Sequence, residues 1–186
     1  MALERDTTPR STIVALVGAD SDELLAELEG SPTLLALSLR ECEPAEAARI
    51  VTHAPFPYVV HDADPLAHVA SAWVELYREQ STLGSLEVEI DTALGQFESG
   101  AAIMPDYYLV AAPEDIEGEW RHWWLGALAL RAPSRVLPVA ASATALRSAL
   151  RSLPMSRPWP TPDSWLPRVQ FDIPDRVGLR DLPGAA

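Results

Sequence analysis

The chain contains no lysine and no asparagine in 186 residues, and all 14 of its basic side chains are arginine. Without an ε-amino group there is no Schiff-base chemistry, no P-loop lysine and no lysine general base. Without asparagine there is no N-glycosylation acceptor. Ala, Arg, Pro, Leu and Gly are spelled by GC-rich codons, so the absence reads as codon bias in a GC-rich bacterial genome. It excludes mechanisms rather than advertising one. A single cysteine, Cys42, excludes an internal disulfide and suits a reducing, cytoplasmic location. It reads as a structural thiol, because a nucleophilic role needs a nearby histidine that the local sequence does not supply. No apolar run approaches the ~18 residues that span a bilayer. The run Ile13 to Ala19 is short, has acids on both sides, and reads as a strand rather than a signal peptide. Dinucleotide-binding glycine patterns, a P-loop, a G-x-S-x-G elbow and C-x-x-C pairs are also missing.

What remains is globular. Hydrophobic content is 48% and charged content 22%, suited to one domain with a continuous core. Net charge is −13 but uneven: residues 1–120 hold 23 acids and 5 arginines, residues 121–186 hold 4 acids and 9 arginines. The expected consequence is a basic C-terminal third packed on an acidic body, with a polarised surface suited to a basic protein partner as the functional alternative. Nucleic acid is disfavoured, since a negative field repels phosphates, and a membrane partner is not expected.

Strand-like runs alternate with helical patterns. Thr12–Ala19, Thr33–Leu39, Pro57–His61, Tyr107–Ala112 and Arg135–Ala140 read as strands. Helices are expected over Ser21–Glu29, Pro44–His53, Asp64–Tyr77, Ser85–Glu98, Glu117–Arg131 and Ala143–Leu153, with Asp64 capping the third and Pro65 at its first position. Residues 80–104 also carry an alternating strand pattern, but the helical spacing Leu83, Leu86, Ile90, Leu94, Phe97 is longer. The fold class is therefore α/β: three layers, about five mostly parallel strands, flavodoxin-like or Rossmann-like, over residues 1–153. Residues 154–186 hold 7 of the 17 prolines and two tryptophans, and read as an extended strap anchored by Trp159 and Trp165. Arg157-Pro158-Trp159-Pro160 is also polyproline-like, the pattern of a docking peptide.

In such folds ligands bind outside the carboxyl ends of the strands. Asp20 and Asp22 follow the first strand, and His61, Asp62 and Asp64 follow the third. If those two strands are neighbours, Asp20, Asp62 and Asp64 converge and offer Mg²⁺ hard oxygen ligands. Without a metal, these like charges need a counter-ion, expected from the arginine-rich C-terminal third. Each acid also has a structural reading as a helix cap or first-turn charge. His68 follows four residues after Asp64 but lies off the Leu66, Val69, Trp73 stripe, and reads as a surface histidine.

Gly18-Ala19-Asp20 with the later Asp62-Ala63-Asp64 resembles the topoisomerase–primase (Toprim) domain, which implies Mg²⁺ bound by an acid after the first strand and an Asp-x-Asp pair. The chain has Val17 where that family has its catalytic glutamate. The layout of Asp20, Asp22 and Asp62 also resembles a receiver domain's acid pocket, without the lysine a receiver needs. A Mg²⁺-dependent enzyme or a binder of phosphorylated ligands is the second functional expectation.

The first expectation is a non-catalytic accessory protein that acts through protein contacts and needs no cofactor. It rests on the absence of any assembled catalytic site, and its contact surface is sought on the stripe Trp120, Trp123, Trp124, Ala127 and Leu128 at helical spacing. The inner residues pack on the sheet, and Trp120 with Trp124 form a candidate interface centre beside Glu117 and Glu119. Trp159 is the third aromatic candidate for partner contact.

Overall fold

The computed structural model describes residues 11–18, 21–155 and 157–171. Five strands form one all-parallel sheet: β1 (Thr12–Gly18), β2 (Leu34–Leu37), β3 (Tyr58–His61), β4 (Tyr107–Ala111) and β5 (Val136–Val139). The strand order is β2-β3-β1-β4-β5. β1 is central because it is buried on both faces, with Ile13 to Leu16 at most 2% exposed. A strand of Ile, Val, Ala and Leu with no alternation suits that position. β3, not β2, lies beside β1, so the order is neither the flavodoxin-like 2-1-3-4-5 nor the Rossmann-like 3-2-1-4-5.

The chain leaves β1 toward the β2 edge through α1 (Ser21–Leu28). It then runs back across the sheet through α2 (Pro44–His53), α3 (Ala67–Tyr77), α4 (Leu83–Ser99) and α5 (Gly118–His122). Right-handed crossovers in opposite directions place helices on opposite faces. Accordingly α1 and α6 (Ala143–Arg151) bury Val14, Leu16, Val60 and Leu109 on one face. The other face carries α3, α4 and the Trp-rich segment over Ala15, Val17, Tyr108 and Val110, with α2 over Ile13 and Val59.

Several local features depart from the sequence reading. Asp64 does not cap α3 itself, which begins at Ala67. Its Oδ1 accepts from the Leu66 N–H at 2.9 Å and its carbonyl from Ala67 at 3.1 Å, so it caps a turn before the helix. Pro65 holds that turn outside the helix. The single helix expected over Glu117–Arg131 is short α5 followed by a π-helical turn, Trp123–Leu128. A turn with i+5 hydrogen bonds gives the adjacent indoles of Trp123 and Trp124 more room than 3.6-residue spacing allows. The segment 154–171 is not purely extended: α7 (Pro162–Trp165) and a 3₁₀ stretch (Leu166–Phe171) lie within it. Pro162 occupies the helix start, where its missing N–H costs nothing, so a proline taken to forbid a helix starts one. Residues 80–104 do form the expected helix, α4, capped by the Thr82 hydroxyl and ended by Gly100 in the left-handed conformation.

The described part of the C-terminal segment is tied to the core, and residues 172–186 of the expected strap lie outside the described residues. Trp165, Leu166 and Val169 join the α3–α4 cluster, and the Trp73 indole N–H donates to the Val169 carbonyl at 3.2 Å. Arginines of the basic third reach the acidic part through backbone carbonyls. Arg147 donates to Glu27 O and Arg135 to Asp106 O, each at 2.6 Å. No helix among the described residues is long and apolar enough to cross a membrane.

One glycine is dictated by close approach. Gly18 ends β1 at φ +108°, and a Cβ there would lie 2.4 Å from the Ala111 carbonyl oxygen of β4. Gly18→Ala is expected to cost about 3 kcal/mol, combining left-handed backbone strain with displacement of β4. Chemical denaturation measures this directly. A variant within about 0.5 kcal/mol of the parent would show that β1 and β4 part there without cost.

Candidate functional site

β3 pairs with β1 on one side and β2 on the other, so its carboxyl end sits amid the loops that follow all three strands. Side chains alternate along β3: Val60 faces α1 and α6, and Val59 faces α2. His61 therefore lies on the α2–α3 face. It is 5% exposed, both ring nitrogens are enclosed, and neither reaches good hydrogen-bonding geometry, although the Ala63 backbone lies near enough to act on the ring. Burial lowers its pKa from 6.5 to about 4, and the Asp62 charge and the Ala63 backbone offset only part of that. The ring is neutral at pH 7.

Asp62 turns the opposite way, toward β2. Oδ2 accepts from the Ser38 hydroxyl and Oδ1 from the Leu39 N–H, both at 2.7 Å, and Arg40 lies 3.7 Å away. Burial pushes this carboxyl up, but the Ser38 and Leu39 hydrogen bonds and the Arg40 charge outweigh it, and its pKa falls below the usual value. Arg40 bridges further, to the Ser21 hydroxyl at 2.7 Å and to Asp22 at 3.6 Å. The counter-ion expected from the C-terminal third is thus supplied by the β2–α2 loop, because that loop lies directly beside the end of β3.

Asp64 turns toward β4. Its Oδ1 takes the Leu66 N–H and also the Tyr108 hydroxyl at 2.9 Å, while its Oδ2 is enclosed with no partner. Burial pushes the Asp64 carboxyl up, and burial with the adjacent Asp64 charge pushes the Tyr108 phenol well above 10. The Trp124 indole N–H favours the charged form of Asp64 without reaching hydrogen-bonding geometry.

Between α2 and the α3–α4 pair, His61 lies against a cavity of about 350 Å³. Leu39, Ala47, Ala48, Val51 and Ile103 supply apolar wall, and Arg40, Cys42, Asp62, Asp64 and His68 also line it. Alanines on α2 leave the space. Cys42, which has no histidine near it in sequence, thus shares a cavity with His61.

The sequence candidates fare unevenly. Asp20 lies outside the described residues. Asp62 and Asp64 flank the same strand end but diverge, and three of their four oxygens already accept hydrogen bonds. They offer Mg²⁺ no converging pair of free carboxylates, and no group of three His, Cys, Asp or Glu among the described residues is placed to hold a metal. Glu117 and Glu119 pair with Arg78 at 2.6 and 3.2 Å. Trp120 and Trp124 are half-buried, their ring centroids 5.5 Å apart. Trp159 is half-buried too, donates its indole N–H to the Pro105 carbonyl at 2.8 Å, and meets Tyr108 edge-on. His68 is exposed, as its position off the apolar stripe implies. The sequence reading missed the roles of His61 and Arg40. Strand alternation from Val59 was the signal for His61; nothing local signalled Arg40.

The depressed His61 pKa has a thermodynamic consequence. Between about pH 6.5 and 4 the unfolded chain binds a proton at this site and the folded chain does not. The stability involved is fully present above 6.5 and lost as pH falls toward 4, at most about 3 kcal/mol. Asp64, with its raised pKa, works in the opposite sense, so the informative quantity is a difference between variants. Unfolding free energies of the parent and His61→Leu, compared at pH 7 and 4.5, are expected to show a steeper loss in the parent. Parallel pH profiles would mean that His61 is not held neutral.

Comparison of the chain with protein-family models, with curated proteins and with solved structures finds no match.

Proposed function

We propose that the chain is a binding protein for a small organic molecule that occupies the cavity between α2 and α3–α4. The observation that carries this reading is the space itself, which has apolar walls and carries Arg40, Cys42, His61 and Gln96 on its lining. At about 350 Å³ the space is at the small end of ligand pockets. The strand-end acids act in this reading as structure: Asp62 and Arg40 fix the β2–α2 loop, and Asp64 fixes the entry to α3. A phosphorylated ligand is not favoured, because the Leu39 N–H beside the cavity is already taken by the Asp62 carboxylate.

A second reading, an accessory protein that contacts a basic partner, rests on one observation. The tilted Trp120–Trp124 pair is half-buried, and Glu117, close to it in sequence, has a side chain 64% exposed. It calls for association that slows with salt and a complex weakened by Trp120→Ala.

The cavity reading is tested with the chain's single thiol. Cys42 lines the space, so an occupant slows its reaction with a thiol reagent. A fragment collection of neutral, anionic and cationic members is expected to yield compounds that protect Cys42 and raise the melting temperature. Ala48→Phe fills the space from α2, and is expected to abolish both effects while leaving stability unchanged or raised by up to about 1 kcal/mol. Fragments that stabilise the parent and Ala48→Phe equally would place binding elsewhere.

A further inference from the structure

Resting on the cavity reading, we infer that the ligand is an uncharged molecule with an apolar body and a carbonyl head, the carbonyl oxygen accepting from the Arg40 guanidinium. The polar atoms on the lining divide sharply by access. Both His61 nitrogens and Asp64 Oδ2 are enclosed, and Asp64 Oδ1 already takes the Leu66 N–H and the Tyr108 hydroxyl. The Asp62 oxygens accept from Ser38 and Leu39, and that side chain has no exposed surface. The titratable groups at the end of β3 therefore present nothing to a ligand.

Arg40 differs from them. Its side chain is 53% exposed, and its contacts with Ser21, Asp22 and Asp62 all fall on Nη2. A guanidinium carries five N–H donors, so Nε and Nη1 keep three that engage no other described residue. Arg40 follows Leu39 in the chain, and Leu39 packs with Ala47 and Val51. A head on Arg40 thus leaves its body against that apolar wall.

Charge and donor count choose the head. The lining sets the Asp62 and Asp64 carboxyls against one arginine, and Asp22 lies 3.6 Å from that same arginine. An anionic head adds a further negative charge to this set. A cationic head meets Arg40 and finds the carboxylate oxygens of Asp62 and Asp64 taken or enclosed. A hydroxyl has a proton to place, and a guanidinium cannot accept it. A carbonyl oxygen only accepts, and carries no charge into the space. The Gln96 amide, half-buried on α4, holds both a donor and an acceptor and is the rival anchor on the lining.

Five probes with a phenylalkyl body separate these heads on the full-length chain: 4-phenylbutan-2-one, 4-phenylbutan-2-ol, butylbenzene, hydrocinnamate and phenylpropylammonium. Each is titrated while Cys42 reactivity and the Arg40 Nε resonance are followed. The ketone is expected to bind roughly tenfold more tightly than butylbenzene, to bind more tightly than the alcohol, to shift the Arg40 resonance and to protect Cys42. Arg40→Lys keeps a charge for Asp62 but loses the second and third nitrogens, and is expected to bind the ketone no better than butylbenzene. Gln96→Leu is expected to keep the preference. The ranking on the wild-type chain stands by itself, should either variant fold poorly. An alcohol that binds as tightly as the ketone would overturn the carbonyl head. Tightest binding by hydrocinnamate or phenylpropylammonium would overturn the uncharged class and leave the cavity reading intact. Loss of the preference in Gln96→Leu alone would move the head from Arg40 to α4 and overturn the assignment. If none of the five protects Cys42 the inference falls, and the cavity reading falls with it only when the fragment collection fails as well.

Discussion

The carboxylate of Asp62 holds the strand-end surface together. It accepts from Ser38 and Leu39 just after β2, and sits 3.7 Å from Arg40, which in turn reaches Ser21 and Asp22 at the start of α1. Three segments distant in sequence thus meet at one buried oxygen pair. A buried charge held by two short hydrogen bonds and a counter-ion is costly to break from one side, because the remaining partners are left unpaired. The β2–α2 loop is fixed by this contact, and with it the position of α2 over β3. The cavity exists because α2, so placed, presents Ala47 and Ala48 rather than larger side chains to the space beside His61.

Neighbouring residues on β3 therefore serve opposite ends. Asp62 is charged and held by Ser38, Leu39 and Arg40, while His61 is neutral and its ring nitrogens reach no good hydrogen-bonding geometry. The difference follows from strand alternation at a strand end. One side chain meets the donors of an adjacent loop, and the other meets apolar helix surface. Asp64, two residues on, is spent on the turn into α3 and on Tyr108, which fixes that helix relative to β4. The strand-end acids build the frame, and His61 lines the cavity beside it.

Much of the architecture was legible in sequence because it depends on periodicity. The unbroken apolar run of β1 announced a central strand buried on both faces, and Leu83, Leu86, Ile90, Leu94 and Phe97 marked α4 over the competing alternation. Pro44 marks a helix start for a reason local to the backbone. What was not legible depends on long-range placement. That β3 inserts beside β1 is a pairing no local pattern encodes, and it decides that Arg40 rather than a C-terminal arginine neutralises Asp62. The widened turn at Trp123–Leu128 and the helical start at Pro162 went unseen because spacing and proline density are averages. At the site, the strand-end position of Asp62 and Asp64 was visible, but their divergence was not. His61 was visible only as one member of an acidic run, although its place two residues after Val59 already put it on the α2 face.

The account turns on His61 being a neutral imidazole enclosed beside an open cavity, and its titration by ring-nitrogen NMR on the full-length chain tests that most directly. The expected result is a ring that stays neutral from pH 7 to 5 and titrates only near 4. A midpoint near the ordinary 6.5 would show that the ring is solvated or paired, and that the cavity as described does not hold it.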